Sequence, residues 1–268
     1  MAPPPGRPRT RVVAWNIRAG GGYRVDAILH RLGRWAPDVV ALSEFRATPP
    51  SAALAAGLAA RGLVHQVTTA SPREPGANAL LLAARWPLAR REISGAPVEP
   101  ARWLFARMAA PRPIALGVMH VPNRVSGRKY PFLDAVLALA RARWGEPALL
   151  VGDTNSGRIG ADEQVPAFNA REDGWMLDLA AAGWTDAFRH RRGAVPGYTW
   201  YSPNGRNGFR IDQAFVNPAL LPAVVETRHA WGGHAGGPRR APSDHAAIIL
   251  DLDLAGQRAG SRPRAPRE

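Results

Sequence analysis

At 268 residues, 46% of them apolar, the chain can bury one large α/β core, and no linker forces a division into two. No apolar run approaches the roughly 18 residues of a membrane span. The N-terminal MAPPPGRPRTR carries charge without the apolar segment of a secretory signal, so a cytoplasmic monomer with no membrane association is expected. Zero cysteines exclude disulfides and thiolate metal sites, and a formal charge of +14 favours a polyanionic partner.

That charge is almost entirely arginine, with Lys129 the single lysine, in a chain also heavy in Ala, Gly and Pro. GC-rich coding produces the same combination, so the arginine excess by itself does not identify a function. Its Pro- and Gly-rich basic ends, 1–10 and 255–268, read as disordered tails around one domain spanning 11–254.

Taken in order, RVVAWNI (11–17) reads as a strand. A helix follows, with Val25, Ile28, Leu29, Leu32 and Trp35 at helical spacing, and then DVVALSE (38–44) is a second strand. A second helix is predicted over 51–61, after which 63–68, 78–84, 102–109 and 113–120 are consecutive strands separated by loops such as SPREPGAN. Phe132, Leu133, Val136, Leu137 and Ala140 mark a helix over 130–143 leading into the apolar strand ALLVG. The last third offers strands near 198–201, 210–217, 223–228 and 246–254. Mixed βα units and meanders in each half predict an α/β fold, a four-layer sandwich of two packed mixed β-sheets flanked by helices.

Several chemistries are excluded by what is missing. The only lysine precedes Tyr130, so no Walker A loop exists; AGGGYR lacks the GxGxxG fingerprint; neither HExxH nor GxSxG occurs. What remains is a recurrence of polar residues where apolar strands end. Asn16 interrupts VVAWNI, Glu44 closes DVVALSE, His120 ends ALGVMH, Asp153 and Asn155 follow ALLVG, Asp212 sits in FRIDQAFV, and Asp244-His245 precede AAIILDL. Taken singly, GDTN at 152–155 can equally be a turn, and His120 a satisfied core histidine. Acids beside strongly apolar runs nevertheless call for partners.

In this order the motifs resemble those of the endonuclease/exonuclease/phosphatase superfamily, over about residues 11–254. WNI at 15–17, PDVVALSE at 37–44, HVPN at 120–123, GDTN at 152–155, TDAFRH at 185–190, GYTW at 197–200, RIDQAFV at 210–216 and SDH at 243–245 carry the resemblance. It implies a phosphodiester hydrolase dependent on Mg²⁺ or Mn²⁺, a nuclease with DNA as its nucleic-acid partner. By the same resemblance Asn16, Glu44 and Asp244 are metal ligands. Asp153 then activates or orients water, Asn155 holds that water or the phosphate, and Asp212 orients a His245 imidazolium that binds the phosphoryl oxygen. His120 stands at the phosphate as donor or proton source. Two positions depart from the pattern of abasic-site endonucleases: Arg18 stands where several of them carry an acid, and His120 is closer to the deoxyribonuclease I and phospholipase-like branches.

For substrate, NGFRID suggests Phe209, Arg210 and Ile211 at a pocket for an extruded baseless sugar, with Phe209 and Ile211 on one side of a strand. Both are equally consistent with core positions. The alternatives are a phosphodiesterase or phosphatase acting on a phospholipid headgroup or inositol phosphate, which His120 permits, and a member that grips nucleic acid without cutting it.

Overall fold

The computed structural model describes residues 9–142, 144–204, 206–232 and 241–255. The two expected tails lie outside these residues, save for a residue or two at their inner ends. The chain opens with β1 (Thr10–Asn16), α1 (Val25–Trp35), β2 (Val39–Phe45), α2 (Pro49–Ala59), β3 (His65–Thr68), β4 (Ala79–Ala84) and β5 (Leu88–Arg90). It continues with β6 (Trp103–Met108), β7 (Ile114–His120), α3 (Lys129–Arg141), β8 (Ala148–Asp153), α4 (Ala170–Ala181), β9 (Thr185–Asp186) and α5 (Ala187–Arg192). The last elements are β10 (Trp200–Tyr201), β11 (Gly208–Phe209), β12 (Asp212–Val216), β13 (Val224–Ala230) and β14 (Ala247–Leu252).

Two six-stranded sheets result, ordered β13-β14-β1-β2-β4-β3 and β5-β6-β7-β8-β12-β9, with β10 and β11 forming a separate ribbon. Each sheet contains one parallel pair, β1 with β2 and β7 with β8, and its other pairings are antiparallel. Each parallel pair is a strand-helix-strand unit, closed by α1 in the first sheet and α3 in the second. Strand alternation divides the apolar residues. Val12, Ala14, Val39, Ala41, Leu80 and Leu82 meet Leu104, Leu116, Val118, Leu149 and Val151 between the sheets. The opposite faces pack under helices: Val13, Val40 and Leu42 against Ile28, Leu32, Leu54 and Leu58, and Met119, Leu150 and Phe215 against Phe132, Val136, Trp175 and Leu179. Because both faces are covered, the strands read as unbroken apolar runs. The four-layer α/β sandwich is as expected.

Several elements differ from the sequence reading. The expected strand over 210–217 is shorter, since β12 runs only from Asp212 to Val216, and Gly208–Phe209 form a separate strand, β11. Helix α4 was not anticipated, although its start carries a capping box in which the Asn169 side chain accepts from Glu172 N and the Glu172 carboxylate accepts from Asn169 N. Helix α5 and the short edge strand β5 also went unread; neither is long enough to establish a period.

Candidate active site

The carboxyl ends of both parallel pairs open on the same side of the sandwich, where open α/β sheets leave a crevice. Asn16 ends β1, Glu44 is next to last in β2, His120 ends β7 and Asp153 ends β8. Glu44 sits at a register irregularity between Ser43 and Phe45 with φ 59, so a bulge turns its side chain away from the ladder. Gly152 has φ 141, and a Cβ there would lie 2.0 Å from the Met119 carbonyl oxygen; only glycine lets β8 approach β7 one residue before the acid.

Asp153 is the hub. Its Oδ2 accepts from Asn16 Nδ2 at 3.0 Å and its Oδ1 from Asn155 N at 2.9 Å, while His120 Nε2 stands 3.7 Å from Oδ2. Asn155, at φ 45, donates its side-chain amide to Val121 O. On the adjacent antiparallel strand, Asp212 is the direct register partner of Asp153. Asp212 Oδ2 lies 2.9 Å from His245 Nδ1. Thr199 Oγ1 accepts from both Ile211 N and Asp212 N, which explains the threonine of GYTW. Ser243 donates to Asn16 O and accepts from His245 N, and Trp15 Nε1 donates to His245 O, so the WNI and SDH motifs lock to each other.

Burial and neighbouring charge separate the titrations of these groups. Burial raises Asp153 to about 7, with Asp212 adding to the rise and His245, Asn16 and Asn155 opposing it. Burial by itself would lower His245, but the charge and hydrogen bond of Asp212, with Asp153 and Asp244, outweigh it and raise the imidazole to about 9. His120 is driven well below its ordinary value by burial and then by Arg102 and His245. Arg102 Nη1 lies 3.0 Å from His120 Nδ1; a guanidinium can only donate, so the neutral ring keeps its proton on Nε2, facing Asp153.

His120, Asp153, Asn155 and His245 line a cleft of about 410 Å³ together with Glu44, Glu99, Arg102, Asn123, Arg128, Trp200, Ile211 and Asp244. Glu44 is fixed by Ala19 N and Asn16 Nδ2, and Asp244 is partly open, with Arg18 3.9 Å away. Oxygen donors of this kind suit a hard divalent cation. Asp153, Asp212 and His245 also bring one donor atom each within 4.8 Å of one another and could hold a metal. In that group the His245 nitrogen facing Asp212 is already hydrogen-bonded.

Three expected placements differ. Asn16 presents its amide nitrogen, not its oxygen, to Glu44 and Asp153, while its Oδ1 accepts from Arg18 N, so it sits between the two carboxylates. Arg210 does not reach the cleft. It is 1% exposed, paired with Asp162 and Asp186 and set over the Phe188 ring, because a guanidinium buried there needs two carboxylates. Phe209 does not share a wall with Ile211, since the strand breaks between them; it packs against Phe168 and Trp200, behind the cleft. Ile211 does line the cleft, as does Trp200. Arg102 and Trp200 were missed. Trp200 lay within GYTW, a legible signal, whereas nothing distinguishes Arg102 from the other arginines.

Among known proteins, an exodeoxyribonuclease of Streptococcus pneumoniae serotype 4 is 31% identical over 123 residues. The aligned part is 41% of this chain and 42% of that protein, so less than half the relative's length is matched. Among solved structures, a 3′ phosphatase from Neisseria bound to a product DNA hairpin is 22% identical, with a TM-score of 0.75 over 91% of this chain and 99% of that one. An AP endonuclease from Archaeoglobus fulgidus is 20% identical, with a TM-score of 0.73 over 91% and 99%. At these identities the likeness to solved structures is one of fold. The description Endonuclease/Exonuclease/phosphatase family matches residues 13–245, from the first strand to the closing histidine of the site, and the chain belongs to that family.

Proposed function

We propose that the protein is a divalent-metal-dependent phosphodiester hydrolase acting on DNA. The observation that carries this reading is the convergence of Asp153, the Asp212–His245 pair and the Arg102–His120 pair on one cleft that also presents Glu44 and Asp244. Phosphodiester cleavage needs an activated water, shielding of phosphate charge and a donor for the developing negative oxygen. Asp153, ionising near neutrality, takes a proton from water while Asn155 N–H orients its carboxylate. The His245 imidazolium, held by Asp212, donates to a phosphoryl oxygen. His120 Nε2–H and the Arg102 guanidinium offer donors from the opposite wall. A divalent cation such as Mg²⁺ or Mn²⁺, held by Glu44 and Asp244, would supply further charge neutralisation at the phosphate.

DNA is favoured by the net charge of +14 and by the relatives, named for exodeoxyribonuclease, 3′ phosphatase and AP endonuclease activities. Trp200 and Ile211, both lining the cleft, suit an extruded sugar and make an abasic site the preferred substrate within this reading. A small phosphodiester or phosphomonoester substrate is the second reading, favoured by the buried His120.

The test is a panel of abasic duplex, nicked duplex, single-stranded DNA, RNA, inositol phosphates and phospholipid headgroups in Mg²⁺ or Mn²⁺. DNA cleavage abolished by EDTA and reduced on the order of 10²-fold or more by Asp153→Asn is expected. Turnover confined to the small phosphoesters would overturn the DNA assignment, and near-normal turnover by folded Asp153→Asn the mechanism.

A further inference from the structure

Lys129, the only lysine in the chain, is the first residue of α3 and is 2% exposed. Its Nζ makes two contacts. It pairs with the fully buried carboxylate of Glu172, and it donates to the main-chain oxygen of Asn155 at 2.5 Å. Glu172 is the capping-box residue of α4 and also takes Arg124, from the turn at the cleft rim, at 2.9 and 3.1 Å. A buried ion pair gives little net stability, and an apolar pair of similar volume often serves as well. What an apolar residue could not do is hold the carbonyl of a residue at φ 45, in the left-handed region, through a hydrogen bond.

Asn155 is held at three points. Its N–H donates to Asp153 Oδ1 and its side-chain amide to Val121 O, both within the cleft; Lys129 grips its carbonyl from behind, outside the cleft. We propose that Lys129 is a positioning residue for phosphodiester hydrolysis: neutralised by Glu172, it fixes Asn155 in its left-handed conformation and so keeps the Asn155 N–H on the carboxylate of Asp153. The inference rests on the hydrolase reading above. It assigns to the α3–α4 pair a function beyond covering the sheet, since Glu172 joins Lys129 at the floor of the site to Arg124 at its rim.

The composition of the chain makes the test specific. With no cysteine in the parent, Lys129→Cys introduces a unique thiol, and the Glu172 carboxylate keeps Arg124 as its partner. Alkylation of that thiolate in denaturant by 2-bromoethylamine forms a sulfur–carbon bond, expels bromide and restores an ammonium at nearly the lysine length. Parent protein taken through the same steps is the control. On an abasic duplex in Mg²⁺, kcat of Lys129→Cys is expected to fall roughly 10²-fold with KM within about threefold of the control, and aminoethylation to recover most of it. Hydrogen exchange over 153–157 should rise in the unalkylated variant and return on alkylation, while the rest of the fold keeps its protection.

A folded Lys129→Cys protein with kcat within about threefold of the control, or failure of the ammonium to restore a refolded protein, would overturn the positioning role. If the parent cleaves no phosphodiester, the hydrolase reading fails by itself. Exchange over 153–157 then decides separately whether Lys129 holds the loop, and unchanged protection overturns the contact's role.

Discussion

His245 and Asp153 face the same cleft with opposite requirements, one needed protonated and the other ionised. Asp153 is raised to about 7 by burial, so a water-activating role is lost as pH falls through that value, and a cation bound nearby would move the loss lower. His245, raised to about 9, is cationic below that pH and loses its donor as pH rises through it. Asp212→Asn removes both the charge and the charge-assisted hydrogen bond that offset the burial of His245. The alkaline limb of the kcat profile is therefore expected to shift to lower pH by at least about one unit, with the acid limb moved less. An unchanged alkaline limb, read by pH–rate profiles of the two proteins, would remove His245 from the rate-limiting step.

Between residues and the whole lies the ribbon β10–β11, which pairs Trp200 with Phe209 and puts Trp200 over the cleft while Phe209 backs it against Phe168. Trp200→Ala is expected to reduce cleavage at an abasic site by about tenfold more than cleavage of intact single-stranded DNA, since the extruded sugar would lose the apolar surface it buries against the indole, at roughly 25 cal/mol per Å². Equal losses on both substrates would show that the ring does not select a sugar. A second junction involves α5, where Phe188 lies between the Arg210 guanidinium and the His229 ring of β13, stacked at 4.3 Å. Burial lowers His229 to about 3, with Arg210 and Arg189 adding to it. Between that value and the ordinary 6.5 the unfolded chain binds a proton that the folded chain refuses, so stability falls as pH falls, by up to about 1.4 kcal/mol per unit. His229→Phe should flatten that part of the denaturation-midpoint profile while leaving neutral pH nearly unaffected; an identical slope in both proteins would mean that His229 is protonated without penalty.

At the scale of the molecule, a formal charge of +14 acts over distances that individual contacts do not. Binding of duplex DNA in EDTA, without turnover, is expected to weaken linearly in log K against log salt, by on the order of 10³-fold between about 50 and 200 mM. A flat dependence, measured by fluorescence anisotropy, would remove the electrostatic argument for a nucleic-acid partner. None of the helices among the described residues is long and apolar enough to cross a membrane. The two sheets together supply what neither could alone: β1, β2 and β14 lead to Asn16, Glu44 and His245, while β7, β8 and β12 carry His120, Asp153 and Asp212.

Much of this was legible in the chain itself. Periodicity marked α1 and α3, unbroken apolar runs marked the central strands, and the polar interruptions at their ends, read together with the family's motifs, singled out Glu44, His120, Asp153, Asn155, Asp244 and His245, which the fold brings to one cleft. These signals are local, because a strand buried on both faces and a helix buried on one must write their environment into neighbouring residues. Other assignments needed the third dimension. Arg210 and Arg102 are one residue type among many in the sequence; only packing buries the first between Asp162 and Asp186 and sets the second against His120. Whether Asn16 turns oxygen or nitrogen toward Glu44 depends on the N–H of Arg18, and the break at Arg210–Ile211 that separates Phe209 from the cleft comes from the β10–β11 ribbon. Sequence determined which residues are available at the strand ends, since local pattern sets the strands; tertiary structure decided which of them meet and in what protonation state, since partners and burial come from residues as much as 230 positions apart, as Trp15 and His245 do.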